Sequence, residues 1–380
     1  MPVRLLEWRA GRVRDPVARL QWLRRRTSAA GAVSESKPRR AARYDRAVAG
    51  AIAMAFMLAG GAVLRPRVTA PSAAAARRPE PEIRQDSKLQ SAASPPRVWL
   101  VETTAQWDLY SNGLRVENQF ATNTAPRGYT ALSRRLDNSV EVRGEPAGVV
   151  FHTTESHLSP FEEEQNRALR RDGEGLLEYV NRRRAYHFVI DRFGRVFRIV
   201  RESDYANHAG NSVWADERWI YVNLNQSFFG IAFEARSDVN TQDPAIDAAQ
   251  LHAGRILVEM LRARYAIPAG NCVAHAQVSV NPGNGRAGYH TDWAANLPFA
   301  ELGLGNNYAL PLPSLALFGF EPDAALLQSS GALQQGIEAG ADAAREEAKA
   351  RNLTLEQYRR VLQRKYRDAL AAQQARTVEQ

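Results

Sequence analysis

Gly148-Val149-Val150-Phe151-His152 is a short apolar run that ends in a histidine, and the fold is read outward from it. Bounded by Pro146 and a polar loop, it has the length and composition of a buried strand. Ser159-Pro160-Phe161-Glu162 follows as a capping box with proline in the first turn, predicting a helix that runs towards Arg184. Tyr186–Asp191 and Arg195–Val200 flank Arg192-Phe193-Gly194 as a hairpin, and Phe228–Ala235 reads as a further strand. Asp243-Pro244 opens a second helix whose apolar stripe includes Ile246, Ala253, Ile256, Leu257, Met260 and Leu261, ending before Pro268. Cys272-Val273-Ala274 is a short strand that delivers His275. Strands interleaved with two helices predict an α/β domain over 147–303, with a mixed central β-sheet flanked by helices.

On the amino-terminal side, 98–146 reads as an accessory β region with a hairpin turn at Asn112-Gly113. Residues 65–97 form a Pro/Ala/charged linker too poor in large apolar groups to support a core. Residues 47–64 are 18 residues without a charge, about 27 Å as a helix, which predicts a transmembrane anchor. The preceding 1–46 hold 13 Lys/Arg and four acids, so this basic segment is expected to stay in the cytoplasm and the remainder to be exported. A secreted form after signal cleavage is the alternative. Residues 47–380 carry 37 basic and 37 acidic side chains, which excludes a basic stripe for nucleic acid there. The carboxy-terminal extension, 304–380, is predicted to contain a helix over 354–373, capped by Thr354 and Gln357, that docks on the domain or on a partner.

All seven histidines fall between 152 and 290. Two imidazoles, His152 and His275, and the carboxylate of Asp292 make the open form of a zinc site, with a fourth position left for water. His290 is an alternative ligand, with Asp292 then holding a ligand in place. Cys272 sits at ligand-like spacing from His275, though a cysteine in an apolar strand is more often packing. Trp214, Trp219 and Trp293 are candidates for a sugar-binding groove or for the core.

The ordered motifs VVFH, AYHFVIDRFGRVF, NHAG, FGIAFE, AHAQVS and HTDW resemble the zinc-dependent N-acetylmuramoyl-L-alanine amidases related to peptidoglycan recognition proteins. The resemblance spans about 147–300. It implies a peptidoglycan-recognition/amidase fold, Zn2+ held by His152, His275 and Asp292, and hydrolysis of the amide between N-acetylmuramic acid and L-alanine in peptidoglycan or muropeptides. It also implies that His290 stabilises negative charge on the carbonyl oxygen and that Asn207 and His208 contact substrate. Two positions depart from the pattern: His290 stands where the family often carries a lysine near that oxygen, and Ala232 stands where many relatives carry the catalytic glutamate. Glu234, Tyr186 and Glu155 then remain open as the proton-transfer group. A non-catalytic peptidoglycan-binding module of the same fold is the alternative reading. With the anchor at 47–64, the domain is expected to face the periplasm from the bacterial inner membrane.

Overall fold

A computed structural model describes residues 95–135, 137, 139–237, 246–281, 285–288, 290–322 and 331–379. The basic segment, the candidate span and nearly all of the linker lie outside these residues. Among the described residues no helix is long and apolar enough to cross a membrane.

The central sheet has eight strands. In chain order its members are β1 (Leu100–Thr103), β2 (Trp107–Tyr110), β3 (Arg115–Glu117), β6 (Gly148–Thr153), β7 (Phe188–Ile190), β8 (Val196–Arg198), β11 (Phe228–Phe233) and β12 (Cys272–Ala274). A second sheet joins β4 (Tyr129–Ser133), β5 (Val140–Arg143), β9 (Val213–Ala215) and β10 (Trp219–Val222). The spatial orders are β1-β2-β3-β8-β7-β11-β6-β12 and β5-β4-β10-β9. β6 is therefore an interior strand, parallel to β11 on one side and β12 on the other. That explains its continuous apolar run, since both faces are covered.

Four helices of more than ten residues are described: α1 (Asn166–Arg183), α2 (Ala248–Tyr265), α3 (Gly331–Ala350) and α4 (Leu355–Glu379). α1 buries Leu169, Gly173, Leu176, Leu177 and Val180, one stripe at helical spacing. Leu176, Leu177 and Val180 pack with Val189, Phe197, Ile199 and Ala232 on one side of the sheet. Leu257, Val258, Met260 and Leu261 of α2 join Phe151, Phe229, Ile231 and Phe233 in the larger core. Each fully buried Leu or Phe contributes about 1.5–3 kcal/mol of transfer free energy, and Val149, Val150 and Phe151 of β6 belong to the larger core.

Several boundaries differ from the sequence reading. The first helix begins with a 3-10 turn at Glu163–Gln165, and Ser159 does not cap it; its hydroxyl bonds Asp172 instead, at 2.6 Å. Asp247 caps α2, reciprocally with Gln250, so the helix starts beyond Asp243-Pro244, which lies outside the described residues. The expected hairpin at Asn112-Gly113 joins β2 to β3, with Gly113 at φ +85°. Parallel pairing of Val116 with Val196 makes β1–β3 an extension of the central sheet.

The C-terminal helix starts as read, with Thr354 Oγ1 accepting from Gln357 N and Gln357 Oε1 from Thr354 N, and continues to Glu379. It docks on the domain itself. Tyr366 donates from its hydroxyl to Asn211 O, Gln373 Nε2 reaches Val222 O, and Tyr358, Leu362 and Tyr366 are buried.

Candidate metal centre

His152 is the penultimate residue of β6, opposite Ala232 in the β11 register. Ala274 of β12 pairs with Phe151, so the next residue, His275, emerges beside His152 at the same sheet end. The chain then turns through the helical segment His275–Val278. Gln277 locks that turn by accepting from Ala274 N and donating to Asn307 O. Asp292 arrives on a loop pinned by Ala276 N to Asp292 O at 3.2 Å and by Tyr308 Oη to Trp293 O at 2.7 Å.

The three side chains converge, with one ligand atom from each lying within 4.8 Å of the others. Asp292 Oδ1 is 2.8 Å from His275 Nδ1, and Oδ2 is 3.3 Å from His152 Nδ1. The imidazole centroids of His152 and His275 are 4.3 Å apart. Burial, reinforced by His275, lowers the His152 pKa to about 4, with Asp292 opposing. Burial also acts to raise the Asp292 pKa, but the neighbouring His275 and His152 outweigh it and hold the carboxyl below the usual range. A neutral imidazole beside an ionised carboxylate is the protonation state that ligation requires. Two nitrogens and a carboxylate oxygen match the donor set of an open zinc site, so the residues fit the metal that the motifs imply.

The other candidates divide around this cluster. The Tyr186 ring lies 5.1 Å from that of His152. It is brought there by a sharp reversal, with Arg184 at φ +52° and Tyr186 at φ +63°. A left-handed aromatic residue carries local strain that its surroundings must hold in place. Burial, and then the charges of Asp292, Tyr179 and Glu155, push the Tyr186 phenol above its ordinary pKa, so it is a neutral O–H donor. The His290 ring stacks on His275 at 4.7 Å, and burial and His275 lower its pKa against the pull of Asp292. His208 Nδ1 is 3.2 Å from His152 Nε2. Exposed Asn207 donates to Arg183 O.

Glu234 lies elsewhere. Its carboxylate accepts from Arg192 N at 3.2 Å and rests against Gly173 of α1. Its charged neighbours are Asp191, Arg192 and Asp172. Glu155 Oε1 is occupied by Ser237 N, Ser237 Oγ and Thr153 Oγ1. Cys272 is fully buried, with burial pushing its thiol up to about 12, and it is absent from the cluster. Trp214 and Trp293 are core residues, at 2% and 0% exposure, and Trp219 is half-buried with the Arg143 guanidinium 4.1 Å over its ring.

The burial of Glu234 has a consequence for stability. Burial raises its pKa to about 7 from the ordinary 4.5. The folded protein thus binds this proton more tightly than the unfolded chain, and the site's contribution to stability falls as pH rises from about 4.5 to 7. Glu234→Gln is expected to flatten that dependence. Thermal unfolding should show a higher Tm than wild type at pH 8 and little difference at pH 4; equal midpoints at pH 8 would contradict the assignment.

A cleft of about 930 Å³ opens beside the cluster, lined by Glu155, Arg171, Tyr179, Arg182, Tyr186 and Asn207 among others. It runs between α1 and the loop after β6, and Tyr186 belongs both to its wall and to the surroundings of His152.

Residues 143–291 match the family model described as N-acetylmuramoyl-L-alanine amidase, which shows the resemblance drawn from the motifs for that segment. Among solved structures the chain is similar to the N-acetylmuramoyl-L-alanine amidase LysC from Clostridium intestinale, at 20% identity over 48% of this chain and 93% of that one, with a TM-score of 0.26. It is also similar to the amidase AmiD from E. coli, solved with anhydro-N-acetylmuramic acid-L-Ala-D-gamma-Glu-L-Lys. The identity there is 23% over 42% of this chain and 58% of that one, with a TM-score of 0.31. For drosophila peptidoglycan recognition protein SD the values are 17%, 44%, 86% and 0.28. A search of curated proteins finds no match.

Proposed function

We propose that this chain is a zinc-dependent amidase that cleaves the bond between N-acetylmuramic acid and L-alanine in peptidoglycan. The observation that carries the reading is the convergence of His152, His275 and Asp292 at the end of β6 and β12, with both histidines inside the segment that matches the amidase family and Asp292 directly after it. Held by these three side chains, zinc would polarise the scissile carbonyl and activate water for attack.

The remaining tasks fall to residues of the chain. The cleft orients the substrate, and Arg171, Arg182 and Arg183 along it suit the carboxylates of a peptide stem. His290, neutral and stacked on His275, donates one hydrogen bond to the charge that develops on the carbonyl oxygen. Amide cleavage also requires a proton on the departing nitrogen. Tyr186 is the neutral donor beside His152, whereas Glu234 is turned towards Arg192 and α1. The same proposal retains residues 47–64 as an anchor and a periplasm-facing domain.

One observation favours the non-catalytic alternative, since Ala232 stands opposite His152 in the strand register and leaves no carboxylate there. The two readings part on treatment with a chelator. The amidase reading expects hydrolysis of purified peptidoglycan to stop when metal is stripped and to return with one equivalent of zinc per chain. A protein that sediments with peptidoglycan equally before and after stripping, and never hydrolyses it, would establish the binder instead.

A further inference from the structure

We infer that His208 is a positioning residue for His152, fixing which ring nitrogen His152 offers to the metal. The inference rests on the zinc reading above but starts from a backbone carbonyl. His208 Nε2 lies 3.2 Å from Phe228 O, and a carbonyl can only accept, so Nε2 carries the hydrogen. In the neutral imidazole the other nitrogen, Nδ1, then has the lone pair. That lone pair, on Nδ1, faces His152 Nε2 at 3.2 Å, so His152 donates from Nε2 and keeps its own lone pair on Nδ1.

Nδ1 is the His152 atom turned towards the cluster, 3.3 Å from Asp292 Oδ2. The competing tautomer would place a hydrogen on Nδ1 and aim the lone pair at His208, away from His275 and Asp292. Two distances disfavour it. Asp292 is already engaged more closely by His275 Nδ1, at 2.8 and 3.0 Å from its two oxygens. The 3.3 Å contact to His152 is also longer than a good N–H···O bond. The relay from Phe228 O through His208 therefore sets the ring state that ligation by Nδ1 needs.

The chain builds a socket for this histidine. Asn225 Oδ1 accepts from the consecutive amides of His208, Ala209 and Gly210, each at 2.8 Å. Gly230 lies beneath the ring, where a Cβ would come within 2.6 Å of His208 Cγ. His187, read from the sequence as structural, is fully buried and fixes the same strand by accepting from Gly230 N at 3.0 Å. These contacts hold the His208 ring against His152, in addition to any contact its loop makes with substrate.

Two substitutions in the full-length protein test the inference. His208→Asn puts Oδ1 near the place of Nδ1 and keeps an acceptor, whereas His208→Leu keeps bulk and removes it. Zinc affinity, measured by competition with a chromophoric chelator, is expected to weaken about 10–100-fold in His208→Leu and to return to within about threefold of wild type in His208→Asn. Imidazole nitrogen NMR of the metal-free, histidine-labelled protein is expected to show His152 protonated on Nε2 in wild type, a preference lost in His208→Leu. Wild-type zinc affinity in His208→Leu, an equal loss in both variants, or His152 protonated on Nδ1 in wild type would overturn the inference. A wild type that binds no zinc would instead overturn the proposed function, because the NMR measurement needs no metal and decides the tautomer alone.

Discussion

His152→Ala is expected to lose the zinc and to lower kcat/KM on peptidoglycan by at least about a thousandfold, close to 4 kcal/mol of transition-state stabilisation. The size follows from where the ligand sits. His152 is on an interior strand, 1% exposed, with β11 and β12 on either side, so the sheet itself holds its ring at the cluster. The loss also leaves Asp292 with one histidine partner in place of two. The variant should nevertheless fold, since Val149, Val150 and Phe151 still anchor β6 in the main core. Metal content and thermal unfolding of the metal-free protein check both halves of the expectation. Retention of one zinc per chain would show that the ligands lie elsewhere.

Tyr186→Phe is expected to lower kcat by about 10²–10⁴ while leaving zinc content unchanged, the range typical of a lost proton-transfer group. Glu234→Gln should stay within about threefold of wild type by the same measure. The contrast comes from placement. Tyr186 shares the wall of the cleft and lies against His152, while the Glu234 carboxylate is committed to Arg192 N beneath α1. A severe loss in Glu234→Gln with a neutral Tyr186→Phe would reverse the assignment and require β11 to move relative to α1.

The strand that begins with Gly148 was legible because burial on both faces leaves a continuous apolar run, and His152 at its end was therefore visible as a delivered ligand. The hairpin at Arg192-Phe193-Gly194 and the strand before His275 were legible for the same local reasons. Other features depend on pairing between distant segments. The addition of β1–β3 to the central sheet rests on a parallel pairing of residues 80 apart, Val116 with Val196. Ser159 has the spacing of a helix cap, but Asp172, across α1, takes its hydroxyl. Glu234 does lie on the same sheet face as Ala232, as strand alternation requires, yet two residues along a strand is about 6.6–6.8 Å, far enough to place it under α1. The left-handed turn at Tyr186 and the contact between His152 and His208, 56 residues apart, leave no local pattern at all.

The proposed function stands or falls on hydrolysis of the lactyl amide of peptidoglycan at this metal-type cluster. Mass spectrometry of the soluble products from purified peptidoglycan tests it most directly, with zinc-loaded protein and a chelated control. The account predicts stem peptides with a free L-alanine amino terminus, together with glycan from which the peptide has been removed, and neither product in the control. Zinc-loaded protein that releases no new amino terminus, or that cuts within the peptide or the glycan, would contradict it.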